Sequence, residues 1–177
     1  RDLLSVYVAP DGAVFLSAGS QLGVCRRPPC TTESDFVWAA PPGTAADTSF
    51  YGLCGDSSSN VFAVGLTSSF NGDGVVVHHD GTSWSSEKPL GITNVRACWL
   101  ESSNVVWAAG MGQVTKYSGG VSTPQGADLS PLGNLSSAQQ WFSLFGVEGE
   151  LHAVGWSEAI MSRTSTDVWS LTLNHST

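Results

Sequence analysis

The sequence predicts an all-β fold made of four repeated units, each a small antiparallel sheet. Three observations support this prediction. Short apolar segments end in a glycine at steps of 46, 45 and 45 residues, at Gly19, Gly65, Gly110 and Gly155. Each segment follows another β-rich run across a short polar turn, which is the pattern of a hairpin. No long stretch of the sequence has apolar residues at helical spacing, which excludes a helical bundle.

Each unit is expected to contribute up to four strands. The first strands are predicted at residues 4–8, 51–54, 95–99 and 141–145, and the second strands end at the four glycines. The third strands are predicted at residues 22–25, 75–79, 113–117 and 159–163. Fourth strands are predicted in three units, at residues 36–39, 83–86 and 168–173. In the third unit, residues 119–140 are rich in Gly, Pro and Ser and predict a long loop instead.

A period of about 45 residues with four strands per unit is typical of a β-propeller. Radial stacking of such sheets buries faces that a single sheet leaves open. We therefore expect one propeller domain over residues 1–177, with blades at about 1–45, 46–90, 91–136 and 137–177. The four blades either close as a small ring or form an arc of a larger propeller. A β-sandwich is the alternative, and the nearly constant step argues against it.

Residues 61–84, VFAVGLTSSFNGDGVVVHHDGTSW, resemble the kelch and Asp-box (BNR-like) group of propeller repeats. Gly81 and Trp84 keep the Gly–Trp spacing of the Asp-box pattern. Asp80 and Gly81 are adjacent, whereas that pattern separates them by one residue. The resemblance implies the fold and not a function, because such repeats occur in sialidases, lectins, oxidases and scaffolds.

Composition limits the classes of partner. The formal net charge is −8 and only seven residues are Lys or Arg, so the chain lacks the basic face that nucleic acid requires. No run of about 18 apolar residues is present, so no membrane span is expected. We expect a protein or glycan partner instead.

Several features favour a secreted or cell-surface protein. The chain opens at Arg1 without a charged and then apolar leader, as expected of a mature or excised segment. It has an even number of cysteines, four, and two glycosylation sequons at Asn134 and Asn174. This combination is typical of an oxidising compartment.

The four cysteines allow three pairings. Cys25 and Cys30 enclose Pro28 and Pro29, which favour an extended and then turned backbone, so a local disulfide is expected. Cys54 and Cys98 are 44 residues apart, near the ends of first strands in neighbouring units. First strands line a narrow propeller channel, so we expect a second disulfide there. Two separate buried thiols are the alternative.

Acidic residues recur in the turn after each first strand, at Asp11, Asp56, Glu101 and Glu148. Blade symmetry would place them on one face, where converging carboxylates are suited to Ca²⁺. Ordinary turn chemistry, in which these side chains accept backbone hydrogen bonds, is the favoured alternative.

The residues His78, His79 and Asp80 predict a strand end and a turn, because adjacent strand residues point to opposite faces.

Two groups of residues are candidates for ligand binding. Arg26 and Arg27 form the only local concentration of positive charge and suit a carboxylate or sulfate. Trp156 directly follows Gly155 in the loop after a second strand, and Trp stacks well on sugar rings. Four other tryptophans fall at strand positions and are expected in the core between blades: Trp38, Trp84, Trp107 and Trp169.

The function that fits these features is a non-catalytic extracellular recognition module for a glycan or protein ligand. The first alternative is a structural subunit of a larger extracellular assembly. The second is a glycoside hydrolase-like propeller, since the separation of paired carboxylates cannot be read from a sequence. The chain carries no GxSxG, HExxH or P-loop motif. Apart from calcium, no cofactor is expected.

Overall fold

A computed structural model describes residues 1–68, 72–127, 139–147, 149–156, 158–164 and 168–173. These residues form four antiparallel sheets of four strands, which confirms the predicted all-β architecture. The first sheet contains β1 (Ser5–Val8), β2 (Val14–Ala18), β3 (Gln21–Cys25) and β4 (Val37–Ala39). A single turn of 3₁₀ helix, Glu33–Asp35, precedes β4. No helix in these ranges has the length and apolar character needed to cross a membrane.

The other three sheets repeat the same order. The second contains β5 (Ser49–Ser57), β6 (Asn60–Leu66), β7 (Asp73–His79) and β8 (Lys88–Thr93). The third contains β9 (Ala97–Ser102), β10 (Val105–Ala109), β11 (Val114–Ser118) and β12 (Val121–Gln125). The fourth contains β13 (Trp141–Val147), β14 (Glu150–Gly155), β15 (Ala159–Arg163) and β16 (Trp169–Leu173). Within each sheet, consecutive strands are hydrogen-bonded neighbours, so each sheet is a meander.

The four sheets, called blades one to four, follow one another as an arc. Their first strands contact in succession, β1 with β5, β5 with β9 and β9 with β13. Among the described residues, no contact of similar extent joins blade four back to blade one. Of the two arrangements expected from the sequence, the described blades therefore form the open arc.

The core lies between the blades and not within one sheet. Three clusters of buried side chains each join two consecutive blades. Phe15 and Val61 belong to the cluster between blades one and two. Val64 and Val106 belong to the next, and Trp107 and Leu151 to the third. Each interior blade therefore buries both of its faces, as a propeller requires.

The predicted fourth strand of blade two, at residues 83–86, is wrong. The Asp80 carboxylate accepts a hydrogen bond of 2.9 Å from the Ser83 backbone N–H, which closes a tight turn. Trp84 consequently forms only an isolated bridge with His79. The fourth strand is β8, whose Pro89 pairs with Val75 and is tolerated because β8 is outermost in the sheet.

The predicted long loop at residues 119–140 is also wrong in its first part, because β12 begins at Val121. Gly119 and Gly120 have φ values of 58° and 86°, which suit a two-residue hairpin turn. Pro124 is accepted because β12 is an edge strand. Residues 128–138 of the predicted loop lie outside the described ranges.

Both predicted disulfides are confirmed. Cys25 pairs with Cys30, with their Cα atoms 6.1 Å apart. Cys54 of β5 pairs with Cys98 of β9 across blades two and three, at a Cα distance of 5.9 Å. Gly52 permits the close approach of these strands, since a Cβ there would lie 3.1 Å from the Ala97 Cα.

Three of the four tryptophans that were expected in the core between blades lie there. Trp84 and Trp107 are buried between blades, and Trp169 packs partly buried against the cluster of blades three and four. Trp38 differs, because it covers Gly23 on the side of blade one that has no neighbouring blade in the structure.

Candidate ligand-binding faces

The antiparallel strands give the arc two faces. Loops that follow first and third strands lie on one of them, here called the lower face. Loops that follow second strands, together with the links between blades, lie on the other, the upper face. Trp156 follows β14 and lies on the upper face, whereas Arg26 and Arg27 follow β3 and lie on the lower face. The predicted ligand-binding residues are therefore not brought together.

An exposed pair of aromatic side chains, Phe142 and Trp156, lies on the upper face of blade four. Their exposed fractions are 46% and 53%, and their ring centroids are 5.5 Å apart in an edge-to-face arrangement. A β-bulge between Trp141 and Ser143 allows Trp141 to be fully buried while Phe142 is exposed. The sequence analysis missed Phe142, because alternation alone does not locate a bulge.

Backbone contacts hold this pair in place. The Trp156 N–H donates to the Gln140 carbonyl oxygen at 3.1 Å, and the Gln139 side-chain amide donates to the Trp156 carbonyl at 3.0 Å. A Cβ at Gly155 would collide with the same Gln140 carbonyl oxygen, so only glycine fits there. Both glutamines are buried, and therefore the loop that carries Trp156 rests on a packed base.

A cation also lies on the upper face, at the start of the first strands of blades two and three. The Arg96 guanidinium lies 4.0 Å from the centroid of the Tyr51 ring. Arg96 Nε donates to the Asn94 side-chain oxygen at 2.9 Å, and Gln140 donates to the Asn94 carbonyl at 3.0 Å. Asn94, which adopts a left-handed φ of 52°, thus connects this cation to the base of the aromatic pair.

A groove of about 370 Å³ continues this face between blades one and two. Its lining includes the apolar Leu4, the ring of Tyr51, the acidic Asp2, and Arg1, which is ion-paired with Glu33. The upper face therefore combines aromatic surface, positive charge and a concavity, which are features that ligand sites share.

On the lower face, Arg26 has an intramolecular role. Its Nη1 donates to the Gly81 carbonyl at 2.5 Å and links blade one to blade two. Arg27 is exposed on the disulfide-closed loop. A groove of about 350 Å³ beside Arg26 is lined by Trp84, His79 and Pro42, among others. Arg27 is thus the more available of the two guanidiniums for an anion.

Three of the four acidic residues considered as calcium ligands lie within the described ranges. Asp56 lies within β5 and Glu101 within β9, not in turns as predicted. Asp11 accepts 2.5 Å and 3.2 Å hydrogen bonds from Ser58 Oγ and the Ala13 N–H, and the Ser58 bond chiefly lowers its pKa. Glu148 lies outside the described residues. Within the described ranges, no three acidic, His or Cys side chains form a metal-binding group, so the calcium site stays a prediction without structural support.

Glu101 instead forms an ion pair with Arg163 that joins blade three to blade four. Burial alone would raise the pKa of Glu101, but hydrogen bonds from Trp107 Nε1, at 3.0 Å, and from Arg163 outweigh it and lower that pKa. The Arg163 guanidinium also lies 4.5 Å from the Trp107 ring centroid. No local spacing predicts this pair, because its members are 62 residues apart.

The adjacent histidines point to opposite faces of β7, as predicted. His78 stacks on Phe62 at 4.4 Å, towards blade three, whereas His79 packs on Phe15 and Trp84, towards blade one. Burial lowers the pKa of both rings. Both are thus part of the interfaces between blades. The two sequons, at Asn134 and Asn174, lie outside the described residues.

Comparisons with known proteins establish the class of fold. No protein-family model matches the chain, and no curated protein matches it. Solved structures do match: YCF48 bound to a D1 peptide has a TM-score of 0.67 at 14% identity, over 99% of this chain and 54% of that one. A Bacteroides caccae protein of unknown function has a TM-score of 0.65 at 10% identity, over 98% of this chain and 61% of that one.

The nidogen/laminin complex matches with a TM-score of 0.59 at 13% identity, over 99% of this chain and 66% of that one. These similarities show that the fold is that of a β-propeller. They do not single out the kelch or Asp-box group. The chain spans between 54% and 66% of the length of these three proteins.

Proposed function

We propose that this chain is a non-catalytic recognition module of an extracellular protein, and that its upper face binds a protein or glycan ligand. The observation that carries the proposal is the exposed pair of Phe142 and Trp156, of which Trp156 is held by hydrogen bonds with Gln139 and Gln140. Exposed aromatic rings combine apolar area with little side-chain entropy, and Trp adds an N–H donor. Arg96 and the groove beside Tyr51 extend the same face.

Two further observations support an extracellular setting and a macromolecular ligand. The chain forms two disulfides, which persist mainly in oxidising compartments. Among the propellers that it resembles, YCF48 is bound to a peptide and nidogen to laminin. A protein or glycan ligand for this chain agrees with both.

The test is a binding screen of the intact chain against a glycan array and a displayed peptide library. For a ligand found in this way, a Phe142→Ala/Trp156→Ala variant should bind at least about tenfold more weakly, since central aromatic residues dominate such sites. The matched control is the arginine variant Arg27→Ala on the lower face, which should bind normally. Loss of binding in the arginine variant alone, or in neither variant, would contradict the proposal.

The aromatic pair borders the outward side of blade four, so the molar mass of each variant must be measured alongside binding. Weaker binding at an unchanged mass assigns the pair to the ligand. Weaker binding that occurs only together with a changed mass would assign it to subunit contact and contradict the proposed site.

A second candidate, a structural subunit of a larger assembly, is favoured by a different observation. Both ends of the arc expose apolar side chains, as described below. The hydrolase alternative has one relevant feature, a cavity between blades three and four lined by Glu101 and Glu150. At about 130 Å³ it is smaller than the roughly 300–1,000 Å³ of typical ligand pockets, so it favours this alternative less.

A further inference from the structure

Each end of the arc leaves one sheet face uncovered. At the blade-four end, the exposed fractions of Val147 and Val154 are 50% and 44%, and Phe145 is 57% exposed although its ring centroid lies 5.3 Å from that of Trp99 in blade three. At the blade-one end, those of Val6 and Val8 are 60% and 59%. These two surfaces are called the blade-four end face and the blade-one end face. Apolar side chains gathered on one surface in this way mark interaction sites.

Strand register shows that these side chains share a face. In blade four, Val154 pairs with Ile160 on the side opposite Ala153, whose side chain is buried against blade three. In blade one, Val6 pairs with Leu16 on the side opposite Phe15, whose side chain is buried against blade two. Both end faces are therefore sheet surfaces, and the blade-four end face also carries Glu150 and His152, whose side chains are 3.5 Å apart.

The blade-four end face corresponds to a surface that is covered in the interior blades. Val154 precedes the closing Gly155 by one residue, as Val64 precedes Gly65 and Ala109 precedes Gly110. Val64 and Ala109 are fully buried against the following blade. The blade-four end face is thus the kind of surface on which a following blade packs.

The blade-one end face is of the opposite kind, because it corresponds to the surface with which a blade contacts the one before it. On blades three and four, that surface carries Val106 and Leu151, both buried. On blade one it carries Val6, Val8 and a groove of about 340 Å³, lined by Leu16 and Trp38 among others. The chain therefore presents both partners of a blade-to-blade interface, one at each end.

We propose that the blade-four end face binds the blade-one end face of a second copy of the chain, and that the reciprocal contact closes a ring of two copies. The ring would contain eight blades, four from each copy. That number is within the range of about four to eight that propellers adopt. A head-to-tail contact closes into a ring when its rotation permits, and here two such contacts suffice. Each contact would place the following side of one blade against the preceding side of the next, as at the three interior interfaces.

The comparisons support an incomplete ring in a single copy. The chain aligns over nearly its whole length, yet it covers only 54% of YCF48 and 61% of the Bacteroides caccae protein. More sheet than these four blades is thus present in proteins of this fold. In the proposed ring, the second copy supplies that additional sheet.

The test is sedimentation equilibrium of the 177-residue chain and of point variants with an aspartate at one end face. The expected mass is twice the 18.5 kDa of one chain. Val8→Asp and Val154→Asp should each shift the protein to monomer, because each places a charge in both contacts of the ring. The matched control is Val121→Asp on β12 of blade three, which is exposed and belongs to neither end face, and this variant should remain dimeric.

A mixing experiment tests the head-to-tail arrangement. Equal amounts of the Val8→Asp and Val154→Asp variants should recover dimer, because one of the two contacts is then free of aspartate. A wild-type monomer at about 0.1 mM would overturn the proposal. So would a dimer that only one of the two variants dissociates, since that indicates a symmetric contact between identical faces. A series of larger oligomers would also overturn it, because the contact then does not close.

Discussion

An interior face and an end face of the four blades share an apolar position but have different surroundings. Val64, one residue before a closing glycine, is fully buried between blades two and three. Val154, at the same position of blade four, is 44% exposed. The repeat thus encodes the same apolar position in both blades, and the neighbouring blade alone decides whether it becomes core. A propeller blade is therefore stabilised chiefly by its neighbours, as in other repeat proteins.

The same substitution placed at these two valines should show the largest contrast. Val64→Asp buries a carboxylate without a partner and should lower the free energy of unfolding by more than about 3 kcal/mol. Val154→Asp should change it by only about 0.5 kcal/mol, because the carboxylate remains in solvent. Urea denaturation, with Val8→Asp added to both proteins to keep them monomeric, measures the difference. Equal losses of unfolding free energy in the two variants would mean that another part of the same chain covers Val154 of blade four.

The two disulfides provide a second contrast between the interior and an end. Cys54→Ala/Cys98→Ala opens a loop of 44 residues between blades two and three and should cost about 4 kcal/mol in the chain-entropy model. Cys25→Ala/Cys30→Ala opens a loop of only five within blade one and should cost about 2 kcal/mol. Chemical denaturation of both variants checks the order. The reverse order would show that the bridge between blades is not needed to hold the interior interface.

The ion pair between blades three and four should have a smaller effect. Glu101→Gln leaves the buried Arg163 without its carboxylate and should cost about 1–2 kcal/mol, a value reduced by the solvent that reaches Glu101. Asp11→Asn, the control between blades one and two, should change stability less because its carboxylate is exposed. Thermal unfolding of the two variants compares them. An equal or larger loss of stability in the Asp11 variant would show that the ion pair between blades three and four is no stronger than the hydrogen bond between blades one and two.

The smallest effect concerns pH. Burial lowers the pKa of His78 and His79 below 6.5, so between those pKa values and 6.5 the unfolded chain binds more protons than the folded one. Stability should therefore fall as the pH drops below 6.5, and the lowered pKa of Glu101 should add a further loss below about 4.5. His78→Gln should reduce the slope near pH 6. An unchanged slope would show that His78 does not titrate with folding.

The features that follow from local spacing could be predicted from the sequence. The glycine step predicted the four sheets, and the position of Cys54 and Cys98 one repeat apart predicted their disulfide. Features that depend on turn chemistry were harder to locate. The Asp80 turn displaced the fourth strand of blade two, and the turn at Gly119 and Gly120 created β12 where a loop was expected.

The candidate site could be predicted only in part, because bulges, turns and contacts between blades have no spacing pattern in the sequence. Trp156 follows directly from its position after a closing glycine. Phe142 is exposed by a bulge, and Arg96 is oriented by the left-handed Asn94, neither of which has a spacing pattern. Contacts between blades, such as Glu101 with Arg163, depend on how sheets stack and not on the order of residues within one sheet.

The most direct test of the open arc is a pulsed electron–electron distance measurement between spin labels at the lower ends of first strands. One label is placed at Val147 of blade four and the other at Val8 of blade one, with Val147 and Ser102 of the neighbouring blade three as the reference pair. Labelled protein is diluted with excess unlabelled chain, so that only distances within one copy are observed. The open arc predicts a clearly longer distance for the Val8 pair, because β13 contacts β9 but makes no comparable contact with β1. Equal distances for the two pairs would show a closed ring of four blades and contradict the arc.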